Sequence, residues 1–148
     1  MDRMEKEKEL LHSDLSRDVL GCCFAVAKEL GCGFLESVYK NALFIAMKQK
    51  GLTVSTEQIY EVTFRNHKIG KYIADIVVEN LIVVELKCCQ TLLAEHQAQL
   101  INYLKASKIP IGLLVNFAHP RIEYRRLQHP DNFNASAALI EDEESIPF

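Results

Sequence analysis

The chain has 148 residues, 49% of them hydrophobic and 25% charged, with a formal net charge of -3. This is the composition of one globular domain with its own core; it excludes a disordered chain and gives no general electrostatic pull towards nucleic acid. No apolar run approaches the roughly 18 residues of a membrane span, and the mixed-charge start Met1–Lys8 has no apolar core behind it, so no signal peptide is expected.

Residues 1–12 read as a tail or helix extension. A first helix is predicted from about Ser13 to Leu30, capped by Ser13 or Asp14 and ended by Gly31. Leu15, Val19, Cys22, Cys23 and Val26 form its apolar stripe. A second helix is predicted from about Leu35 to Lys50, with Leu35, Val38, Ala42, Ile45 and Ala46 at helical spacing and Gly51 as its stop. The short Gly31-Cys32-Gly33 turn makes the two helices neighbours. The period then changes. Thr53–Phe64, Ile69–Glu79 and Leu81–Cys89 read as strands, joined by turns at Arg65–Lys68 and Glu79-Asn80, which gives an antiparallel meander. Ala94–Ser107 is a third helix with Ala98, Ile101 and Leu104 facing a core. Ile109-Pro110 breaks it, and Ile111–Phe117 and Arg121–Leu127 are further strands. A meander, a helix and a strand imply a crossover that returns the fourth strand parallel to the third. The expected fold is α/β: a mixed central sheet, an antiparallel meander plus one parallel crossover strand, flanked by helices. Residues 13–127 form the domain and 128–148 a tail, acidic through Glu141-Asp142-Glu143-Glu144.

The five cysteines, Cys22-Cys23, Cys32 and Cys88-Cys89, are odd in number and lack zinc-ligand spacing. They read as reduced thiols, mostly small core residues, in a cytoplasmic protein. Positive charge collects at Lys68, Lys71, Lys87, Lys105, Lys108, Arg121, Arg125 and Arg126. A local basic surface and ordinary solvated side chains both remain open.

Three acidic or basic side chains stand where an apolar strand should exclude them. Leu81-Ile82-Val83-Val84-Glu85-Leu86-Lys87 is the most hydrophobic run of the chain, and alternation puts Glu85 and Lys87 on one face. Such groups are paired, hydrogen-bonded or metal-bound when buried. Asp75 interrupts a second apolar strand, and the Glu79-Asn80 turn can lay it beside Glu85. Two adjacent carboxylates repel unless a proton or cation lies between them, and oxygen ligands suit Mg²⁺ or Mn²⁺. The structural alternative is a satisfied Glu85–Lys87 ion pair, with Asp75 paired to Lys71 or Lys68. On the third helix His96, Gln99 and Tyr103 form a polar stripe, with His96 read as a surface residue; on the second, Glu36 and Tyr39 share a face.

Asp75 with Glu85-Leu86-Lys87 resembles the D…(D/E)xK core of the PD-(D/E)xK nuclease superfamily. Gln99-Leu100-Ile101-Asn102-Tyr103 resembles the QxxxY motif of its exonuclease branch, and Gly33-Phe34-Leu35-Glu36-Ser37-Val38-Tyr39 the signature of the GxxExxY protein family within it. The resemblance runs from about Asp14 to Leu127 and implies a restriction-endonuclease-like fold. It implies a Mg²⁺- or Mn²⁺-dependent nuclease acting on DNA or RNA. Asp75 and Glu85 would be metal ligands, Lys87 would position water or offset charge on the phosphate, Glu36 would support the metal, and Gln99 and Tyr103 would orient the site. The chain departs from the pattern at Ala74, where the superfamily has proline, and at Ala27, where many relatives have histidine. The alternative is a catalytically inactive nuclease-fold module that binds nucleic acid or a protein partner.

Overall fold

The computed structural model describes residues 12–132; the expected N-terminal tail up to Leu11 and the acidic tail after Asn132 lie outside the described residues. The elements are α1 Ser13–Leu30, α2 Glu36–Gln49, β1 Val54–Phe64, β2 His67–Val78, β3 Ile82–Lys87, α3 Ala94–Ser107, β4 Ile111–Asn116 and β5 Glu123–Gln128, followed by a 3-10 turn at Pro130–Asn132. The sheet runs β1-β2-β3-β4-β5. Strands β3 and β4 are parallel, with Glu85 across from Leu114, and the other pairs are antiparallel. This is the mixed sheet expected from a meander followed by one crossover.

Helices cover both faces. Val19 and Cys23 of α1 and Tyr39, Leu43 and Met47 of α2 pack on the face carrying Ile76, Ile82, Val84, Leu86, Leu113 and Val115. Leu100 and Leu104 of α3 pack on the face carrying Val77, Val83, Leu114 and Leu127. The close approach of α3 depends on Gly112 in β4, because a Cβ there would lie 2.9 Å from both Cγ and Cδ2 of the buried Leu100. A glycine inside a central strand commonly marks such an approach. Gly112→Ala is therefore expected to destabilise the protein by about 1–3 kcal/mol, the usual cost of overpacking; a denaturant midpoint equal to wild type would refute this.

Several local expectations are corrected. The buried face of α2 is Tyr39, Leu43 and Met47, not the stripe through Leu35, Val38 and Ile45, and Leu35 is 77% exposed. Tyr39 decides the rotation: its hydroxyl donates to Gly31 O at 2.7 Å and accepts from Phe34 N at 3.2 Å, while its ring stacks on Phe117. On α3 the core residues are Gln97, Leu100 and Leu104, and Ala98 is exposed. His12 occupies the N-cap of α1, in place of Ser13 or Asp14. Only Cys22 and Cys23 are core cysteines; Cys32 is exposed, and Cys88 and Cys89 are half-buried. Arg126 is buried and donates from Nε to Ser16 Oγ at 3.3 Å, Arg125 lies 3.8 Å from Glu123, and Lys68 lies 3.0 Å from Glu61, so these three do not form one basic surface.

One irregularity positions the site. Strand β2 pairs with β3 only from Val78 to Ile76, and continues with β1 as a two-stranded ribbon to the turn at Arg65-Asn66. Along β2, Ile76 and Val78 face α1 and α2, whereas Tyr72 and Ala74 face α3. Regular alternation would keep Ala74 and Ile76 on one face, so the strand turns over at Asp75. Across from it on β1, Glu57 has a left-handed backbone with φ 55.

Candidate active site

Asp75 and Glu85 occupy the point where β2 parts from β3. The next step of the register after Ile76–Val84 would set them opposite each other. Their carboxylates replace the missing ladder. Asp75 Oδ2 accepts from Leu86 N at 3.0 Å, and Glu85 Oε1 accepts from Asp75 N at 3.4 Å. Asp75 thus binds the Leu86 N–H beyond the last β2–β3 pair, and Glu85 binds the Asp75 N–H across the same gap. Glu85 Oε1 also accepts from the Tyr72 hydroxyl at 2.5 Å.

The electrostatics follow from that enclosure. Burial pushes the Asp75 carboxyl above its ordinary range; the Leu86 N–H, Lys40 and Lys87 oppose this, and Glu36 adds to it. Glu85 is pushed up to about 7, first by burial and then by the neighbouring Asp75, against the Tyr72 hydroxyl, the Asp75 N–H and Lys87. Both shifts have the sign of carboxylates short of positive charge.

The remaining predicted residues reach this pair by different routes. Lys87 is two residues beyond Glu85 on β3, and its charge acts on both acids. Glu36, in the first turn of α2, accepts from Cys88 N at 3.1 Å and so joins the helix to the end of β3. Tyr103 stacks on Tyr72 with ring centroids 3.4 Å apart. Gln99 is exposed and sits one turn before Tyr103 on α3, with its side chain near the Tyr103 hydroxyl. The stripe of α3 therefore meets Glu85 through Tyr72. Tyr39 does not join the cluster, since it closes the α1–α2 turn. His96 does not join it either: its Nδ1 accepts from Leu93 N at 3.0 Å and caps α3.

Sequence reasoning missed Tyr72, Lys40, Glu57 and the polar clamp behind the site. Lys40 follows Glu36 by four positions, so helical spacing was an available signal. Tyr72 precedes Asp75 by three positions, and only the turnover of β2 brings it to Glu85. In the clamp, the fully buried Asn116 donates from Nδ2 to Cys89 O at 2.8 Å and to Glu123 Oε1 at 3.1 Å, and accepts on Oδ1 from Cys89 N at 3.1 Å. Glu123 accepts from Leu92 N at 2.9 Å. Burial raises the Glu123 carboxyl, but these donors and Arg125 outweigh it and hold it low. The clamp fixes the segment between Lys87 and α3.

Among the described residues no group of three or more His, Cys, Asp or Glu side chains converges on one point. Two carboxylates completed by water and substrate oxygens are nevertheless a donor set that Mg²⁺ accepts. The hydrogen bonds given by the described residues fall on Asp75 Oδ2 and Glu85 Oε1, and none of them uses Asp75 Oδ1 or Glu85 Oε2. The residues fit a divalent ion.

A family model described as the PD-(D/E)XK nuclease superfamily matches residues 13–127. No curated protein matches the chain. The crystal structure of SSO0001 is similar in fold, with a TM-score of 0.53 and 20% identity over 89% of this chain and 65% of that one. The chain thus spans under two thirds of that protein. Together these place the sheet and its three helices in the restriction-endonuclease-like fold. No helix among the described residues is long and apolar enough to cross a membrane.

Proposed function

The chain belongs to the PD-(D/E)XK nuclease superfamily, and we propose that it is a metal-dependent nuclease of the GxxExxY branch, hydrolysing phosphodiester bonds in DNA or RNA. Residues 13–127 are its catalytic unit, and the cytoplasm suits its free thiols. The observation that supports this most is the pairing of Asp75 with Glu85, both held more readily protonated than ordinary carboxyls and both within reach of the Lys87 charge. Such a pair is costly for the fold alone, and a cation relieves it.

Nucleases of this superfamily generally use divalent metals; Asp75 and Glu85 would hold Mg²⁺ or Mn²⁺, which when bound supplies Lewis acidity at a phosphate oxygen and an acidified water. Lys87 orients that water and offsets negative charge gathering on the phosphate. Glu36, through Cys88 N–H, fixes the end of β3 and thereby the reach of Lys87. Gln99 steadies Tyr103, Tyr103 holds the Tyr72 ring, and the Tyr72 hydroxyl holds Glu85, so α3 sets the orientation of one ligand.

A cleavage assay on labelled single- and double-stranded DNA and RNA, with Mg²⁺, with Mn²⁺ and with chelator, tests the proposal. Cleavage is expected only with metal, and only in wild type when compared with Lys87→Ala. No cleavage of any substrate would overturn the enzyme reading. It would leave the inactive nuclease-fold module, which Ala27 favours: that position of α1 packs against the core and offers no proton-transfer group.

A further inference from the structure

Lys40 lies one turn beyond Glu36 on α2, and the motifs give it no role. Its Nζ is 3.0 Å from Glu57 Oε1. Glu57 sits on β1 between the Thr56–Ile76 and Gln58–Ala74 pairs, so the register sets it across from Asp75. Lys40 is also near enough to Asp75 for its charge to reach that carboxylate. Because β2 lies between β1 and β3, Asp75 has a lysine on each side: Lys87 from β3, and Lys40 reaching the β1 side.

A purely structural ion pair between α2 and β1 accounts poorly for this arrangement. The Lys40 side chain is 20% exposed but that of Glu57 is 71% exposed, so solvent screens the carboxylate end of the pair and its contribution to stability is modest. Glu57 also keeps a left-handed backbone, φ 55, in the middle of a strand. That conformation is unfavourable for glutamate, and such strain collects at functional sites.

We propose that Lys40 is a second phosphate-binding group of the site, taking a backbone phosphate that flanks the scissile one on the β1 side. The Glu57 carboxylate occupies the Lys40 ammonium until that phosphate displaces it. This rests on the nuclease reading and deepens it: the ligand is the sugar-phosphate backbone of a nucleic acid strand, read without regard to base.

Fluorescence anisotropy of labelled single-stranded and duplex oligonucleotides, in chelator and over a KCl series, tests the pair through effects of opposite sign. Lys40→Met should weaken binding several-fold and flatten the dependence of log Kd on log [KCl] by about 0.7 for a single strand or about 0.9 for a duplex, the loss of one phosphate contact. Lys40→Arg should restore the slope. Glu57→Asn keeps a residue that tolerates the left-handed backbone while freeing Lys40, and should tighten binding several-fold. If Lys40→Met does not fold, Glu57→Asn and Lys40→Arg decide the matter. An unchanged slope in Lys40→Met, or unchanged or weaker binding in Glu57→Asn, overturns the subsite. A wild type that binds no oligonucleotide overturns the subsite and the nuclease reading together, whereas a wild type that binds and cleaves with a slope insensitive to Lys40 overturns the subsite alone.

Discussion

Asp75→Asn is expected to abolish Mn²⁺ binding and to lower cleavage by roughly 10³-fold or more, yet to raise the melting temperature of the metal-free protein by a few degrees. The activity loss follows from the worth of a bound metal, several kcal/mol of transition-state stabilisation at about 1.4 kcal/mol per tenfold. The gain in stability follows from local geometry. Asp75 Oδ2 accepts from Leu86 N, and the side-chain carbonyl of asparagine can accept the same bond, so no backbone N–H is orphaned. The substitution removes a half-buried charge that burial disfavours and that pushes the neighbouring Glu85 carboxyl up. In a domain of this size about 1 kcal/mol corresponds to roughly 2–4 °C. Calorimetric titration with Mn²⁺ and scanning calorimetry in chelator check both halves. Equal Mn²⁺ binding by variant and wild type would remove Asp75 from the ligand set. A lower melting temperature would mean that Asp75 serves the fold, as a structural ion pair would require.

The parts of this site legible in the sequence are those in which chemistry contradicts its surroundings. Glu85 and Lys87 stand out because β3 is otherwise apolar, and Asp75 stands out for the same reason. The sheet order was legible because a tight turn, a helix of predictable length and a second apolar run leave few ways to connect. The rotation of α2 was not legible. Leu35, Val38 and Ile45 form one helical stripe and Tyr39, Leu43 and Met47 another, and periodicity alone cannot rank them. The choice falls to Tyr39, whose hydroxyl satisfies the carbonyl of Gly31 at the end of α1. Lys40 and Glu57 were hidden for a related reason, because they meet only after α2 has docked on β1. Nothing in Ser55-Thr56-Glu57-Gln58 marks a left-handed residue, since neither glycine nor asparagine is present. Tyr72 needed the turnover of β2 at Asp75, which regular alternation does not predict.

The metal-free protein is expected to lose stability as pH rises from about 4.5 to about 7, and to regain it when Mn²⁺ is added above pH 7. Glu85 moves from an ordinary value of 4.5 to about 7 on folding. Between those values the folded state holds more protons than the unfolded state, so the free energy of unfolding falls with increasing pH. The protonated carboxyl contributes fully below 4.5, and its contribution is gone once pH has passed through about 7. Asp75 is raised as well and acts in the same direction. At about 1.4 kcal/mol per pH unit, the loss from Glu85 over the interval from 4.5 to about 7 is about 3–4 kcal/mol at most. Glu123 is held low and contributes in the opposite sense at lower pH, so the difference between wild type and Glu85→Gln isolates the slope due to Glu85. Divalent ions require the deprotonated acid, so Mn²⁺ affinity should fall nearly tenfold per pH unit below about 7. Tyr72→Phe should shift that limb to higher pH, because the Tyr72 hydroxyl is a donor that holds Glu85 down, while the ring still stacks on Tyr103. Melting curves in chelator and in Mn²⁺ from pH 4 to 9 measure all three proteins. A wild-type profile that is flat between 4.5 and 7, or that Glu85→Gln reproduces, would mean that Glu85 titrates as an ordinary surface acid and that no unmet need for positive charge exists at the Asp75–Glu85 pair.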